Sequence, residues 1–480
     1  MKVDTIDSHA GEDDVRPRVF DSAEAPADPD VLQELERGVR DADLAAPPVV
    51  LPDFHHKGDQ EMPSSIAVAT RRTIHPVLTS SSVNCGMALI TLDTGRPGDR
   101  AVETFFRRVR ERYPYPPTNR RELSVSEVVR AAVEGGRFAV ERFGLDAADL
   151  ERVEHDGRLD VDRHGGIDAV RRKLPRMTWE LSRMRFGTIG PSNHFVELQQ
   201  VEEVLDADAA ALLGLQAGQM TIQYHGGGGV LASQVGRLFG RRRKMSMQHR
   251  VAMAMQKPSY HLASARSIQE LKVRRALYFS GDCPPIPRDT PEGERWMLAN
   301  DVAMNYGFAF RLATYATLRR LADEVFGSTG SRLIVDSPHN SIYEEEVEGE
   351  RAIVHRHNSC RAYPASSMRE GSVFGRTGQA LLVPGTNRTS SFLCVAAEKA
   401  ASSLHSACHG TGTMIDRAAE LGRSGPHPQG HRTLRFRYDG AAPAEVAHLD
   451  DVGVLQGLSI LVDHGLVRPV ARMRPMGVLN

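Results

Sequence analysis

The sequence has few cysteines, almost no net charge and no long apolar run, and each absence excludes a class of protein. Five cysteines among 480 residues, with no Cys-x-x-Cys pair, do not form the even-numbered framework of a disulfide-rich secreted domain. A net charge of −1 excludes a globally basic nucleic-acid binder. No segment approaches the roughly 20 apolar residues of a membrane helix, and the first thirty residues lack the apolar core of a signal peptide. We therefore expect a cytoplasmic protein without membrane contact.

The sequence does contain ample material for a hydrophobic core. Hydrophobic residues make up 41% and charged residues 25% of the chain, as in soluble globular proteins. Residues 1–30 are rich in Asp, Glu, Ala and Pro, which predicts a flexible acidic segment. Because residues 31–480 contain no repeat and no clear linker, we expect one compact α/β (α+β) domain there, with its polar motifs on loops at strand ends.

Two long helices are predicted from capping residues and apolar spacing. Ser124 and Glu127 fit a capping box, and an apolar face continues to Phe143 before Gly144. Pro291 fits the first position of a second helix, whose apolar positions run toward Gly327. We expect this second helix to be a scaffold.

Short apolar runs next to the polar motifs predict strands. They are Met220–Tyr224, Leu333–Val335 and Gln379–Val383, and a further run, Val77–Val83, precedes Cys85. Cys85 itself lies between Asn84 and Gly86 and so is expected in a tight turn. A free cysteine in such a position is often simply a small buried side chain.

Five polar blocks occur in a fixed order along the chain. They read Val83-Asn84-Cys85-Gly86-Met87, Gly187-Thr188-Ile189-Gly190-Pro191-Ser192-Asn193-His194-Phe195-Val196-Glu197, His225-Gly226-Gly227-Gly228-Gly229, Ser337-Pro338-His339-Asn340 and Ser406-Ala407-Cys408-His409-Gly410-Thr411-Gly412. A single histidine beside glycine is most often an ordinary loop residue. Together and in this order, the blocks resemble the RtcB family of RNA ligases over nearly the whole chain.

The resemblance implies a GTP- and manganese-dependent RNA ligase. Such an enzyme joins an RNA 3′-phosphate or 2′,3′-cyclic phosphate end to a 5′-hydroxyl end through a guanylylated histidine, in RNA repair or tRNA processing. It also implies RNA ends as partners and an activating protein of the archease type. A metal-dependent cyclic phosphodiesterase and a catalytically silent RNA-end binder remain open as alternatives, because several family positions are altered in this chain.

The metal ligands implied by the resemblance are one cysteine and three histidines. They are Cys85, His194, His225 and His339. Two ions held close together can stabilise charge in phosphoryl and nucleotidyl transfer, and a thiolate can bridge them. Three His and one Cys also fit a tetrahedral zinc site, which is the structural alternative. The family has Asp-Ile-Gly-Cys where this chain has Ser82-Val83-Asn84-Cys85, so we expect one of two manganese sites to be weakened at Ser82.

Asp53 and His55 resemble an early family segment and are expected either to support the ligands from outside or to be an ordinary turn aspartate and surface histidine. The catalytic candidate is His409, which in the family receives guanosine monophosphate. A neutral imidazole is a competent nucleophile, and the small Gly410 and Gly412 would let the backbone approach phosphate. The family arginine after this motif is Thr413 here.

The remaining nucleotide-binding positions are also assigned by resemblance. They are Asn193, Glu197, Asn340, Pro384, Gly385, Thr386, Ser391, His409, Gly410, Gly412 and Asn480. Glu197 matches a guanine-contacting glutamate, and Asn480 replaces a guanine-contacting lysine.

Two clusters of cations could provide a local RNA patch. One is Arg241-Arg242-Arg243-Lys244, and the other comprises Arg171, Arg172, Lys173, Arg176, Arg183 and Arg185. Charge clusters are more often solvated faces than binding sites, but both flank predicted ligand loops, as a nucleic-acid footprint would.

Overall fold

The computed structural model describes residues 16–58, 62–80, 82–118, 120–190, 193–240, 247–280 and 283–480. The helices are α1 (Pro29–Val39), α2 (Asp99–Arg112), α3 (Val125–Glu134), α4 (Gly136–Phe143), α5 (Gly166–Lys173), α6 (Arg176–Ser182), α7 (Ala207–Leu213), α8 (Gly229–Phe239), α9 (Met247–His261), α10 (Ile268–Phe279), α11 (Pro291–Phe326), α12 (Val373–Thr377), α13 (Gly412–Glu420) and α14 (Val452–Asp463). Among the described residues, no helix has the length and apolar character needed to cross a bilayer.

The strands are interspersed with these helices along the chain. They are β1 (Arg18–Val19), β2 (Val49–His55), β3 (Ser64–Thr70), β4 (Thr73–Ile74), β5 (Gly86–Leu92), β6 (Phe195–Val204), β7 (Met220–Gly226), β8 (Ile286–Pro287), β9 (Arg332–Pro338), β10 (Asn340–Val347), β11 (Glu350–His357), β12 (Ser359–Arg361), β13 (Ala380–Val383), β14 (Ser391–Ala396), β15 (Ser406–Cys408), β16 (Arg432–Phe436), β17 (Ala444–Ala447) and β18 (Val467–Leu479). The mixture of helices and sheets confirms the predicted fold class.

A nine-stranded sheet forms the centre of the fold. Its main path runs β13-β14-β18-β6-β7-β5-β9, with β16 beside β18 and β17 beside β16. All its pairings are antiparallel except that of β16 with β18. A second sheet has the order β1-β2-β3-β11-β10. Since β9 belongs to the first sheet and β10 to the second, residues between these strands lie where the sheets meet.

Helix α11 is the scaffold predicted from the sequence. Thr290 caps its first turn by accepting a hydrogen bond from the Gly293 N–H, Pro291 occupies its first position, and Gly327 ends it in the left-handed conformation. Most of its 36 residues are buried. The main hydrophobic core forms around it, with side chains from α3, α4, α8 and the central sheet.

Two expectations about local structure need correction. The segment from Ser124 to Phe143 is two helices, because Gly135 interrupts it at φ 58° and ψ −131°. A Cβ at Gly135 would collide with the Gly157 carbonyl oxygen, so the break is sterically required. The run before Cys85 holds a short 3₁₀ turn at Pro76–Leu78, and the strand follows Cys85.

The N-terminal expectation extends partly outside the described residues, since the described chain begins at residue 16. Within the described part, Arg18–Val19 pair with β2, Phe20 is buried and α1 begins at Pro29. Ordered structure therefore begins before Val31, the residue expected from composition.

Candidate functional site

Three predicted metal ligands meet where the ends of β5, β7 and β9 lie side by side. Cys85 directly precedes β5, His225 is near the end of β7, and His339 follows β9. The Cys85 Sγ lies 3.2 Å from the His225 Nε2, which is 3.1 Å from the His339 Nε2. Because β5 pairs with both β7 and β9, the sheet register itself brings these groups together.

His194 completes the predicted ligand set. Its Nε2 lies 3.5 Å from the Cys85 Sγ. The backbone carbonyl of the preceding Asn193 lies 2.7 Å from the His225 Nδ1. A proton on that Nδ1 would donate to the carbonyl and leave the Nε2 lone pair facing the cysteine, which is the orientation of a metal-binding imidazole.

Burial holds the four candidate ligands in their neutral forms. It raises the pKa of the Cys85 thiol to about 11 and lowers the pKa of His194 to about 4. Burial also lowers the pKa of His225 and of His339 well below the usual value. Neutral imidazoles offer lone pairs to a cation. The ligand atoms of Cys85, His225 and His339 all lie within 4.8 Å of one another, so this donor set fits a soft or borderline cation.

A buried ion pair beneath the cluster fixes the Cys85 turn. The Arg311 guanidinium binds both carboxylate oxygens of Asp336 and donates to the backbone and side-chain oxygens of Asn84. The Arg311 and Asp336 side chains are fully buried. Arg311 and Asp336 were not predicted from the sequence. The available signal was one arginine in an otherwise apolar stretch of α11.

The glycine-rich segment after His225 is required by close packing. A Cβ at Gly228 would collide with the Val83 carbonyl oxygen, and Gly229 has a φ of 76° with Tyr306 and Phe310 against it. This segment therefore lets the His225 and Cys85 turns approach each other.

His409 lies against the metal-ligand cluster. Its ring stacks on that of His339, with centroids 3.5 Å apart and planes 16° apart. The His409 N–H donates to the Asn358 carbonyl at 3.3 Å, and the Asn358 N–H donates to the Asn340 Oδ1 at 3.0 Å. Burial lowers the pKa of His409 to about 3, so its imidazole is neutral near pH 7.

Asp53 and His55 lie beside the His409 loop. Asp53 accepts hydrogen bonds from the N–H groups of Thr413 and Met414 at the start of α13. The His55 Nδ1 is 2.6 Å from the Asp53 carbonyl oxygen. The Thr413 hydroxyl also donates to Asp53, so this side chain is already engaged within the protein.

The predicted nucleotide-binding positions Pro384, Gly385, Thr386 and Ser391 lie on one loop, which is held by its own side chains. The Gly385 N–H donates to the Ser391 Oγ at 3.1 Å, and the Thr386 N–H donates to the Thr389 Oγ1 at 2.8 Å. The Thr411 hydroxyl donates to the Pro384 carbonyl at 2.7 Å. This last bond places the loop next to the segment that carries His409, Gly410 and Gly412.

Glu197 lies on β6, next to the end of β18 that leads into Asn480. Glu197 pairs with Val478, and Asn480 follows Leu479 at the end of β18. Directly opposed residues face the same side of a sheet, as do residues two apart on a strand. Glu197 and Val478 therefore face the same side of the sheet, and Asn480 is two residues beyond Val478 in the chain. Burial raises the pKa of Glu197 to about 8. A hydrogen bond from Gln199 acts in the opposite direction and lowers this pKa.

A cavity of about 780 Å³ opens beside His194. Its wall includes Ser82, Gly227, Gly228, Gly229, Tyr115, Arg112, Arg120, Arg185, Arg237 and His249. Of the second predicted cation cluster, Arg185 lines this cavity, whereas Arg171, Arg172, Lys173 and Arg176 are exposed on α5 and α6. The cluster Arg241–Lys244 lies outside the described residues.

Comparison with known proteins points to one family. The sequence profile described as "tRNA-splicing ligase RtcB" matches residues 42–480. Similar curated proteins include the tRNA-splicing ligases RtcB of Pyrococcus furiosus (27% identity over 82% of this chain) and Thermococcus kodakarensis (27% over 90%). The RNA-splicing ligase RtcB of Mycobacterium bovis is 29% identical over 72%. The chain spans 39%, 86% and 74% of these three relatives, respectively, so it covers less than half of the Pyrococcus protein.

Proposed function

Because this chain belongs to the RtcB family, we propose that it is an RNA ligase that joins a 3′-phosphate or 2′,3′-cyclic phosphate end to a 5′-hydroxyl end. One observation carries the proposal. Four potential ligands, Cys85, His194, His225 and His339, converge at one point, and the neutral His409 ring stacks against one of them. A nucleophile beside a metal site is the arrangement that nucleotidyl transfer requires.

Manganese would be held by Cys85, His194, His225 and His339, and the resemblance implies two ions. Bound cations would neutralise charge on the reacting phosphates. The high pKa of the metal-free thiol means that a cation must displace its proton, and Arg311 already favours the thiolate. Ser82 lies on the wall of the His194 cavity, where a carboxylate would add charge to the site.

His409 would carry the nucleotide. In the first transfer, an imidazole nitrogen bonds to the α-phosphorus of GTP and the bond to the β-phosphate oxygen breaks, releasing pyrophosphate. In the second, an oxygen of the RNA 3′-phosphate takes the GMP and frees His409. The 5′-hydroxyl oxygen then attacks the activated phosphorus, loses its proton and displaces GMP. A cyclic phosphate must first be opened by water.

The nucleotide would lie between the loop of residues 384–391 and the central sheet. The proposed contacts are Asn193, Glu197, Asn340, Pro384, Gly385, Thr386, Ser391, Gly410, Gly412 and Asn480. The bond from Thr411 to Pro384 supports the phosphate side of this proposal, because it links the loop to the His409 segment. The pairing of Glu197 with Val478, two residues before Asn480, supports the base side.

One observation favours a phosphodiesterase as the second candidate. Thr413 replaces the family arginine and binds Asp53, so it adds no cation for phosphate. An enzyme with the metal site but weak nucleotide engagement would open cyclic phosphates without joining ends. We also propose a cytoplasmic setting and an archease-type activator, the first from the five free cysteines and the second from the resemblance.

An RNA-joining assay separates the candidates. Labelled RNA with a 2′,3′-cyclic phosphate and a 5′-hydroxyl should be joined or circularised with GTP and Mn²⁺. The matched RNA with a 5′-phosphate should remain unjoined, because its 5′ oxygen is blocked. Opening of the cyclic phosphate without joining, with every nucleotide tried, would establish the phosphodiesterase. If metal-loaded protein carried out neither reaction, the silent RNA-end binder would be the remaining candidate.

A further inference from the structure

The helical pair α9 and α10, with the connection 262–267, stands out on the surface, and we name it the basic hairpin. A narrow row of buried side chains attaches it to the rest of the protein. The His261 ring stacks on that of Tyr278 at 3.7 Å, and Arg274 binds Glu292 at 2.6 Å. On α10, only Arg274 and Tyr278 are buried, so most of this helix faces solvent.

The charge of the basic hairpin is strongly one-sided. Residues 247–280 contain six cations and one acidic residue: Arg250, Lys257, Arg266, Lys272, Arg274, Arg275 and Glu270. The whole chain has a net charge of −1, so this excess is local. Arg274 is neutralised by Glu270 and Glu292. Arg250, Lys272 and Arg275 are exposed and form no ion pair within the part of the chain that the structure describes.

Apolar side chains lie among these cations. Met247, Val251 and Met255 are 70%, 53% and 61% exposed and recur every four residues, so they form one stripe along α9. Ile268 on α10 is 76% exposed. Exposed apolar stripes of this kind are more often binding sites than the rest of a protein surface is.

The basic hairpin is continuous with the candidate active site. His249, in the first turn of α9, lines the cavity that also contains His194. Arg185 and Arg237 line the same cavity, so positive charge extends from the metal-ligand cluster to the hairpin. From that cavity, the 15 residues of α9 span about 22 Å.

We propose that the basic hairpin binds the single-stranded segment of RNA that leads away from the reacting end. This inference rests on the proposed function and adds the surface that holds the substrate. Uncompensated cations match a phosphate backbone, while the apolar stripe offers contacts to unstacked bases, the combination found in single-strand binding. RNA matches both features of the surface at once, because its phosphates pair with the cations and its bases pack against the apolar side chains.

The test compares two charge-reversal variants of the full-length chain. The hairpin variant is Arg250→Glu/Lys272→Glu/Arg275→Glu. The matched control is Arg37→Glu/Arg100→Glu/Arg137→Glu, which reverses three exposed cations on α1, α2 and α4, outside both predicted cation clusters. Binding of 3′-phosphorylated RNA of about 4 and about 20 nucleotides, lengths around the reach of one single-strand site, is followed by fluorescence anisotropy over a range of salt concentrations.

The hairpin variant should lose affinity for the long RNA only. Its logarithmic salt dependence should become shallower by about 2, since each lost phosphate contact on a single strand removes roughly 0.7. The control should retain most of the wild-type slope. Nucleotide transfer to His409 from GTP needs no RNA and should be unchanged in both variants, which verifies that both fold.

Each other outcome has a distinct meaning. Equal slopes in the wild type and the hairpin variant would overturn the inference, as would equal losses in both variants, because total charge would then govern binding. A wild type that oligomerises through α9, with Met247→Ser/Val251→Ser/Met255→Ser restoring the monomer, would also overturn it in favour of a second copy of the chain. A wild type that binds neither RNA nor GTP would contradict the proposed function itself.

Discussion

The Asp53 carboxylate caps the helix on which Thr413 lies, although the two residues are 360 positions apart. The Asp53 Oδ1 accepts the Thr413 N–H at 2.9 Å and also receives the Met414 N–H and the Thr413 hydroxyl. Helix α13 has no cap from its own preceding side chain. The end of β2 therefore fixes the helix that begins three residues after His409.

Asp53→Ala should lower the free energy of unfolding by about 1 kcal/mol, the usual effect of removing a helix cap. Asn also caps helices and tolerates the positive φ of 65° at this position, so Asp53→Asn should be milder. Urea unfolding of the three proteins measures the difference. Equal losses in both variants would show that charge, and not capping, is the contribution of Asp53.

His409→Ala should abolish nucleotide attachment. After incubation with GTP and Mn²⁺, the wild type should carry one GMP through a phosphorus–nitrogen bond that acid breaks and base does not. Intact-protein mass spectrometry detects this adduct. His427→Ala, which removes a half-buried histidine outside the metal-ligand cluster, is the matched control and should retain the adduct. An adduct that survives His409→Ala would falsify the assignment of the nucleophile.

Ser82→Asp should raise the amount of bound manganese, because a carboxylate supplies the charge that the hydroxyl lacks. Cys85→Ala should lower it at both positions, since a shared thiolate is lost. Cys283→Ala changes a cysteine outside the cluster and should leave the metal content unchanged. Metal analysis after loading and desalting provides the measurement. One ion per chain both before and after Ser82→Asp would contradict a two-ion site.

Asn480→Lys should sharpen the preference for GTP over ATP. The neutral amide of Asn480 offers both donor and acceptor atoms, whereas lysine only donates, as a guanine carbonyl requires. In the present structure the Asn480 Oδ1 accepts a hydrogen bond from Arg435 at 2.9 Å, which turns its oxygen toward the protein. Competition between the two nucleotides for His409 measures the change. Identical selectivity in the two proteins would place this residue outside the base site.

Glu197 should make stability depend on pH. Burial raises its pKa to about 8 from an ordinary value of 4.5, so the folded protein binds an extra proton between these limits. The free energy of unfolding should therefore fall as pH rises through this interval, by at most about 1.4 kcal/mol per pH unit from this group. Glu197→Gln cannot titrate and should flatten this decline. Urea unfolding from about pH 5 to about pH 9 tests it, and parallel curves would rule out a buried, protonated Glu197.

Local signals predicted the long elements of the fold well. The capping box at Ser124 appears in the structure, as do the helix start at Pro291 and the helix end at Gly327. Such caps depend on residues only a few positions apart. The break at Gly135 was missed, since its cause is the Gly157 carbonyl, which lies outside the local pattern. The strand expected before Cys85 was wrong for a related reason. The apolar character of that run reflects burial, which does not specify a strand.

For the candidate site, the sequence led to a set of residues without their arrangement in space. The resemblance selected Cys85, His194, His225 and His339, but only sheet register shows that the ligand atoms of Cys85, His225 and His339 converge. The Arg311–Asp336 pair was not predicted, because the tertiary packing of α11 against β9 brings the two residues together. Only the structure shows that the Thr413 hydroxyl is already bound to Asp53.

The burial of α11 on nearly all sides restricts how the length of this chain can change. Adding or deleting one residue within the helix would rotate everything beyond that point by about 100° and shift it by about 1.5 Å. Arg311 would then leave Asp336, and the ring contacts of Tyr306 and Phe310 would be lost together. Insertions and deletions accumulated over evolution should therefore avoid the interior of α11 and fall in exposed connections such as residues 262–267.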